Sequence, residues 1–388
     1  MTSRRQKITL EPEVLIWARE RVGLSEKKLA DKMQVKPERV TEWERTGETS
    51  IAQVDRLASC TYTPLGYLYL SEPPDESLPI RDFRTRGDGP PKRPSPNLLD
   101  TVYQMQRRQN WMRDDLIEGG SDPLEFVGAY SLTDGHIEVA AAMRVALGLA
   151  DGWPEEIDTW SEALGCLRIR SDEAGILVAS NGVVGNSTRR KLDRTEFQGF
   201  ALVDEYAPLI FVNAADFKTA QMFTLAHEVA HLFVGETGLS LFDRLLPVDH
   251  GTERFCNRVA AEFLVPQEEL QDYWATVQDP TNPYREIAQE FKVSDIVAAY
   301  RALDLDLIDR DTFFTFYNEN RCQAESRKTT TGRGNIWDTL RWRIGPRFAG
   351  AVARATEEGR LLYREAYSLT GLKGDTFEQM PEKLGIVL

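Results

Sequence analysis

The sequence predicts a mostly α-helical protein of the α+β class with one small antiparallel β-sheet. Apolar residues recur with helical spacing between helix caps over most of the chain, and three short runs rich in β-branched and aromatic residues cluster between residues 175 and 213. A chain of 388 residues is also too long for one ordinary hydrophobic core. We therefore predict three domains and a linker, which span residues 11–72, 73–96 (the linker), 97–320 and 336–388.

The net charge of −14 excludes a general nucleic-acid-binding protein, but the charge is unevenly distributed. Residues 1–70 carry 12 Lys and Arg against 10 Asp and Glu, so the rest of the chain carries 35 against 51. The amino-terminal segment is therefore electrostatically distinct from the remainder.

The cysteine pattern is typical of a protein in a reducing cytoplasm, because the four cysteines are far apart and form no C-x-x-C pair. Nothing near Met1 resembles the apolar part of a signal peptide, and no run of 18 apolar residues is present. The expected location is the cytoplasm, with no membrane partner.

Five short helices are predicted in residues 11–70. Their start signals are Pro12, Ser25, Pro37, Ser50 and Pro64. The second and third helices are joined by the tight turn Gln34–Lys36, and Trp43 supplies an apolar anchor. These features predict a helix-turn-helix unit within a helical bundle.

The pattern Leu24-Ser25-(x3)-Leu29-Ala30, followed by Val35 and Trp43-Glu44, resembles the Xre/Cro type of DNA-binding domain. In that family the third helix enters the major groove of double-stranded DNA. The resemblance therefore implies DNA contacts by Lys36, Arg39, Thr41 and Arg45. Residues 36–45 have no net charge, which predicts weak or dimer-dependent DNA binding and leaves open a bundle that contacts only proteins.

Seven prolines between residues 73 and 96 predict an extended linker. Further helices are predicted to begin at Asn97, Thr133 and Pro154. The three strand-like runs are Gly175–Ala179, Phe197–Val203 and Leu209–Asn213. The last two predict a hairpin, which we expect to offer main-chain hydrogen bonds to an extended peptide.

Two of the four histidines lie in the pattern His227-Glu228-x-x-His231. Positions i and i+4 share one face of a helix, so both imidazoles can bind a single Zn2+ while Glu228 acts on a metal-activated water. The alternative, a surface helix with two unrelated histidines, is disfavoured because the intervening residues are apolar. The motif therefore predicts a metallopeptidase site.

A hydrolytic zinc site needs a third protein ligand, and we predict Glu253. Two alanines on the same predicted helix are small enough to let that helix pack closely against the first one. Three other candidates are disfavoured. We interpret His250 as a loop residue, Cys256 as a buried residue turned about 300° from Glu253, and Glu262 as a surface group or one behind the ligands.

The H-E-x-x-H motif, followed by Glu253-x-x-x-Asn257 and an alanine-rich helix, resembles the ImmA/IrrE family of zinc metallopeptidases. Together with the Xre-like segment, the resemblance spans roughly residues 11–310. It implies a zincin-like domain with His227, His231 and Glu253 as zinc ligands and Glu228 as general base. Family members cleave or otherwise inactivate a specific regulatory protein.

The sequence thus predicts a zinc-dependent endopeptidase whose protein substrate is a repressor, an antitoxin or a toxin-like partner, in transcription regulation or a toxin–antitoxin setting. The alternative is a DNA-binding transcriptional regulator or antitoxin that binds its partner without proteolysis. The oxyanion donor is left open between Tyr206, Asn213 and other residues.

Residues 336–388 predict a helical extension whose arginines form a solvated basic face, and residues 323–335 predict a flexible connector. A cytoplasmic peptidase must be selective, so residues 1–70 and 336–388 are the expected docking surfaces. We therefore expect a fragment of residues 97–320 to keep zinc and to lose cleavage of the physiological target.

Overall fold

The computed structural model describes most of the chain and confirms a mostly helical α+β fold. The described residues are 7–82, 93–150, 152–154, 157–240, 251–279, 282–326 and 336–387, with the backbone alone for 321–326. They belong to two compact units, one of residues 1–79 with 91–100 and one of residues 80–90 with 101–388. The domain boundaries inferred from the sequence stay predictions.

The first unit contains the predicted short helices and a strand pair that was not predicted. Its elements are β1 (Lys7–Thr9), α1 (Pro12–Arg21), α2 (Glu26–Met33), α3 (Pro37–Thr46), β2 (Glu48–Ser50), α4 (Ile51–Thr61) and a 3-10 helix (Leu65–Tyr69). Ser25 caps α2 by accepting the Lys28 N–H at 3.3 Å, and α3 ends at Gly47, whose φ is 70°. The predicted start and stop signals of these helices are confirmed.

Trp43 anchors the core of the first unit, as predicted. It is 3% exposed and packs in one cluster with Val14 and Leu29. Arg21 is also buried, and its guanidinium pairs with the Glu76 carboxylate at 2.7 Å. Glu76 belongs to the predicted linker, so the beginning of that linker packs within the first unit.

After residue 80 the described chain forms a five-stranded sheet, a small two-stranded sheet and further helices. The strands are β3 (Arg81–Asp82), β4 (Leu177–Asn181), β5 (Val183–Val184), β6 (Ser187–Lys191), β7 (Gly199–Leu202), β8 (Leu209–Asn213) and β9 (Gly238–Ser240). The helices are α5 (Pro96–Glu118), α6 (His136–Ala146), α7 (Trp160–Glu173), α8 (Lys218–Val234), α9 (Gly251–Leu264), α10 (Gln267–Trp274), α11 (Pro283–Glu290), α12 (Asp295–Asp304), α13 (Arg310–Ser326), α14 (Ile336–Ile344), α15 (Pro346–Glu357), α16 (Tyr363–Thr370), α17 (Asp375–Glu378) and α18 (Met380–Leu384).

Helix α5 is capped by Ser95, so the prediction that Asn97 caps it is wrong. The Ser95 hydroxyl accepts the backbone N–H of Leu98 at 3.2 Å, and the helix begins at Pro96. Proline is well suited to the first position of a helix, because its missing N–H is not needed there.

Helices α6 and α7 begin later than the predicted Thr133 and Pro154. Helix α7 begins at Trp160 because Thr159 and Glu162 cap it reciprocally. The Thr159 hydroxyl accepts the Glu162 N–H at 3.2 Å, and the Glu162 carboxylate accepts the Thr159 N–H at 3.0 Å. A cap that satisfies two N–H groups is a stronger start signal than a lone proline.

The main sheet has the strand order β3-β9-β7-β8-β4 and is mixed rather than purely antiparallel. The predicted hairpin is confirmed, because β7 and β8 pair antiparallel with Gly199 opposite Val212. Strands β3 and β4 add in parallel to β9 and β8. The expectation that this hairpin offers an open edge to a peptide is wrong, because β7 also pairs with β9 and β8 also pairs with β4.

Helix α8 lies inside the core of the second unit, and every residue from Gln221 to Phe233 is buried. A helix that is enclosed on all sides is apolar around its circumference, which explains its weak amphipathic pattern. Helix α9 packs against α8, and its Ala260 and Ala261 are 0% exposed. Their small side chains allow the close approach that the sequence predicted.

The carboxyl-terminal helices pack on the outer edge of the sheet, at β4. Gly345, between α14 and α15, has a φ of 88°, and a Cβ there would lie 3.1 Å from the Val178 carbonyl oxygen. Arg108 of α5 is buried and donates to the carbonyl oxygens of Arg343 and Leu369. Residues 336–387 are therefore an integral part of the second unit.

The connector predicted at residues 323–335 is helical at its beginning, because α13 continues to Ser326. Residues 327–335 lie outside the described part of the chain. Among the described residues, no helix is both long and apolar enough to cross a membrane.

Candidate metal centre

Helix α8 supplies the two predicted histidine ligands from one face. The helix starts after Phe217 and ends at Gly235, whose φ is 76°. His227 and His231 are four residues apart, and their Nε2 atoms lie 2.8 Å from each other. The structure therefore brings the two imidazoles together with the same ring nitrogen directed at one point.

Helix α9 adds the predicted third ligand, Glu253. Its Oε1 lies 3.1 Å from Nε2 of His231, and its Oε2 lies 3.4 Å from Nε2 of His227. One donor atom from each of the three residues lies within 4.8 Å of the others. Among the described residues, this group is the one cluster of His, Cys, Asp and Glu with the spacing of a metal site.

The three donor atoms fit a tetrahedral zinc site. Zinc bonds of 2.0–2.1 Å at tetrahedral angles place neighbouring donor atoms about 3.3 Å apart. The distances between the donors here are 2.8, 3.1 and 3.4 Å, so only small side-chain adjustments separate them from that spacing. Two nitrogens and a carboxylate also match the donor set of many hydrolytic zinc sites.

Burial and mutual charge set the protonation of the three ligands. Burial lowers the pKa of His227, which favours the neutral ring that a metal requires. Burial alone would raise the pKa of Glu253, but the two imidazoles hold it well below its usual range. Burial opposes protonation of His231 too, yet the Cys256 thiol and Glu253 carboxylate raise its pKa well above the ordinary value. Two ring nitrogens 2.8 Å apart need a shared proton or a cation between them, and a bound metal displaces that proton.

Glu228, the predicted general base, is 0% exposed. Burial raises its pKa to about 8, and the nearby His231 opposes this rise. Its carboxylate is directed at the sheet, where Gly199 of β7 and Ser240 of β9 surround it. The sequence analysis missed both residues, although a glycine inside a strand often marks a close approach by another group.

Cys256 contacts the His231 ring, so the sequence argument that it turns away is wrong. A separation of 300° in one direction is only 60° in the other, which puts Cys256 near the face of Glu253. The neighbouring Asn257 side chain contacts the His227 ring. Each histidine therefore has a second partner on α9, in the position from which such partners orient metal ligands.

The other disfavoured ligand candidates are not part of the cluster. His250 lies outside the described residues. Glu262 is buried rather than on the surface, and its carboxylate pairs with Arg301, which is 0% exposed. This ion pair connects α9 to α12 and serves the packing of the two helices.

Asn213 does not serve as the oxyanion donor. Its side chain is 0% exposed, its Nδ2 donates to the Phe197 carbonyl at 3.0 Å and its Oδ1 accepts the Ala215 N–H at 3.0 Å. The other candidate, Tyr206, lies in the turn beyond the far end of β7, about 10 Å along that strand from Gly199. The structure thus favours neither of them.

The four residues implied in DNA contacts are all exposed in the first unit. They are Lys36, Arg39, Thr41 and Arg45. Lys36 is the N-cap of α3, and the other three lie on the helix itself. Arg39 pairs with Glu42 at 2.6 Å and Thr41 donates to Glu26 at 2.5 Å, so acidic partners already occupy two of the four side chains.

Comparison with known families supports the metallopeptidase interpretation. Residues 172–303 match the Peptidase_M78 family model, described as IrrE N-terminal-like domain. The match covers about a third of the chain, including α8, α9 and every residue of the metal cluster. Residues 344–383 match a domain of unknown function, DUF8813, and no curated protein matches the chain.

The family match supports an ImmA/IrrE-type, zincin-like metallopeptidase for residues 172–303. It begins within α7 and ends within α12, so it is narrower than the predicted domain of residues 97–320. The first unit lies outside both matched segments.

Proposed function

We propose that this protein is a zinc-dependent endopeptidase that cleaves a specific regulatory protein of the repressor or antitoxin type in the cytoplasm. The observation that carries the proposal is the buried cluster of His227, His231 and Glu253 with Glu228 beside it, in a segment that matches a metallopeptidase family. No other residue set is needed for metal-assisted hydrolysis of a peptide bond.

A zinc ion held by the three ligands would polarise the scissile carbonyl and lower the pKa of a water molecule toward neutrality. Glu228 takes the proton from the attacking water and later delivers it to the leaving amine. A cation beside this carboxylate favours its ionised form, against the effect of burial. Glu228 is therefore a competent base when the site is loaded, and its activity is tied to metal binding.

Deep burial favours a narrow substrate range. His227, Glu228 and His231 are 0% exposed and Glu253 is 4% exposed, so an arbitrary peptide does not reach them without rearrangement of the protein. We propose that a specific protein partner drives that rearrangement, since only favourable contacts with the opened form can shift the equilibrium.

Zinc analysis and substrate capture test this proposal. The purified protein should contain one zinc ion per chain, His227→Ala should lose it and Glu228→Gln should retain it. In cells, proteins that co-purify intact with Glu228→Gln should appear as fragments beside the active form. A folded protein without zinc, or identical partner proteins left intact by both forms, would contradict peptidase function.

A second candidate is a DNA-binding regulator or antitoxin that acts without proteolysis. The exposure of Lys36, Arg39, Thr41 and Arg45 along α3 favours it. Glu228→Gln separates the two candidates, because regulation by binding alone is unchanged in that variant. An Arg45→Glu variant should weaken binding to duplex DNA if the second function is present, and it should leave the zinc content unchanged.

A further inference from the structure

We propose that Ser240 and Gly199 are positioning residues for Glu228: the Ser240 hydroxyl donates to the carboxylate, and Gly199 leaves the space that the carboxylate occupies. This inference rests on the proposed peptidase function. Neither residue is a metal ligand, and neither belongs to the H-E-x-x-H motif.

Strand pairing places the two residues side by side beneath helix α8. In the antiparallel pairing of β7 and β9, Gly199 lies opposite Ser240. The Gln198 N–H donates to the Ser240 carbonyl at 3.2 Å, which fixes the serine backbone at the end of β9. The pair therefore forms a rigid floor under the catalytic helix.

Gly199 leaves no room for a side chain. A Cβ at this position would lie 2.6 Å from Cγ2 of Thr224, 2.9 Å from Oε1 of Glu228 and 3.1 Å from the Phe211 carbonyl oxygen. The first two distances are shorter than any ordinary carbon contact, so helix α8 or the carboxylate would have to move. The absence of a side chain at residue 199 thus determines where Glu228 sits.

Ser240 supplies a polar contact where the surroundings are otherwise apolar. It is 0% exposed, and a buried hydroxyl without a partner is costly. The acceptor it meets is the Glu228 carboxylate, whose ionised form this contact favours. A hydroxyl that donates to one carboxylate oxygen restricts the orientation of the whole group, which leaves the second oxygen directed at the reacting atoms.

Acetohydroxamate is a suitable probe, because it is small, binds zinc through two oxygens and needs a nearby base for its acidic proton. The full-length, zinc-loaded protein is titrated with it by calorimetry. Ser240→Ala should keep its zinc and bind acetohydroxamate about tenfold more weakly. Ser240→Thr, which keeps the hydroxyl, should recover most of the affinity. Ser171→Ala is the matched control, because Ser171 is equally buried but bonds to the Leu167 carbonyl.

A double-mutant cycle shows whether Ser240 acts through Glu228. Ser240→Ala should have no further effect in a Glu228→Gln background. An equal loss in both backgrounds would mean a general structural role and would overturn the proposal. Unchanged affinity in Ser240→Ala would overturn it as well, while zinc and acetohydroxamate binding by the wild type would leave the peptidase function intact.

Gly199→Ala tests the space requirement. It should weaken acetohydroxamate binding, whereas Gly165→Ala in α7, where a Cβ meets nothing within 4 Å, should not. If Gly199→Ala folds poorly, Thr224→Ser in the same chain removes the Cγ2 methyl and relieves the closest contact. Wild-type affinity in that folded double variant would contradict the role of Gly199.

Discussion

Asp172 couples the carboxyl-terminal helices to the metallopeptidase segment in a manner that depends on pH. Its carboxylate accepts the backbone N–H of Arg347 at 3.0 Å, at the first turn of α15. Burial raises the pKa of Asp172 to about 6 from 3.8, although this hydrogen bond and the charges of Arg347 and Arg341 oppose the rise. Asp172→Asn keeps an acceptor oxygen and removes the charge.

The size and sign of the effect follow from the two pKa values. A folded-state pKa above the unfolded one means that the folded chain binds the proton more tightly, so this contribution to stability is present at low pH and lost as pH rises through about 6. The whole difference between 3.8 and about 6 corresponds to roughly 3 kcal/mol, and about 1.4 kcal/mol of it should appear between pH 8 and pH 5.

The assay is urea unfolding of the wild type and Asp172→Asn between pH 5 and pH 8. We expect the wild type to gain about 1.4 kcal/mol relative to the variant as the pH falls across this range. Glu173→Gln is the control, because Glu173 is an exposed neighbour in which screening by solvent keeps the effect small. Parallel stability curves, or a wild type that gains relative stability with rising pH, would refute the reasoning.

Three further predictions concern other parts of the second unit. Arg301→Met should lower the free energy of unfolding by about 3–5 kcal/mol, because Glu262 stays buried without its cation; urea unfolding measures this, and restored stability in Arg301→Met with Glu262→Gln would identify the cause. Cys256→Ala should weaken zinc binding about tenfold in competition with a chelator, because His231 loses an orienting contact; equal affinity would assign the thiol to packing alone. A chain that ends at residue 335 should aggregate, because the β4 edge is exposed; a stable monomer in gel filtration would show that α14–α18 are dispensable.

The last of these predictions replaces the expectation that residues 97–320 form a self-sufficient fragment. Residues 336–387 cover the outer edge of the sheet through Gly345, and Arg108 of α5 bonds to their backbone. Their removal would leave that buried arginine without its acceptors. Substrate selection by this segment is therefore better tested with substitutions at its exposed residues than by deletion.

Local signals in the sequence were enough to predict the catalytic helix and its ligands. The i, i+4 spacing of His227 and His231 is independent of the rest of the fold, and the helix that carries Glu253 needed only a second apolar segment with small residues. Caps such as Ser25 act within four residues, which explains why helix boundaries in the first unit were predicted well.

Contacts between distant segments were not predictable in this way. Strands β3 and β9 have two and three residues, too few to show any alternation of apolar and polar positions. Their pairing with each other and with β7 decides that the hairpin is internal, and it also places Ser240 under Glu228. The same limitation explains the error at Cys256, because the side of α9 that faces His231 depends on how the two helices pack.

The central claim, that His227, His231 and Glu253 bind zinc through two imidazoles and a carboxylate, is tested most directly by X-ray absorption spectroscopy of the zinc-loaded protein. The account predicts one zinc per chain with nitrogen and oxygen neighbours at about 2.0–2.1 Å and the signature of two imidazole rings, unchanged in Cys256→Ala. A sulfur neighbour at about 2.3 Å would place Cys256 among the ligands and would contradict the assignment, as would a folded chain that binds no zinc.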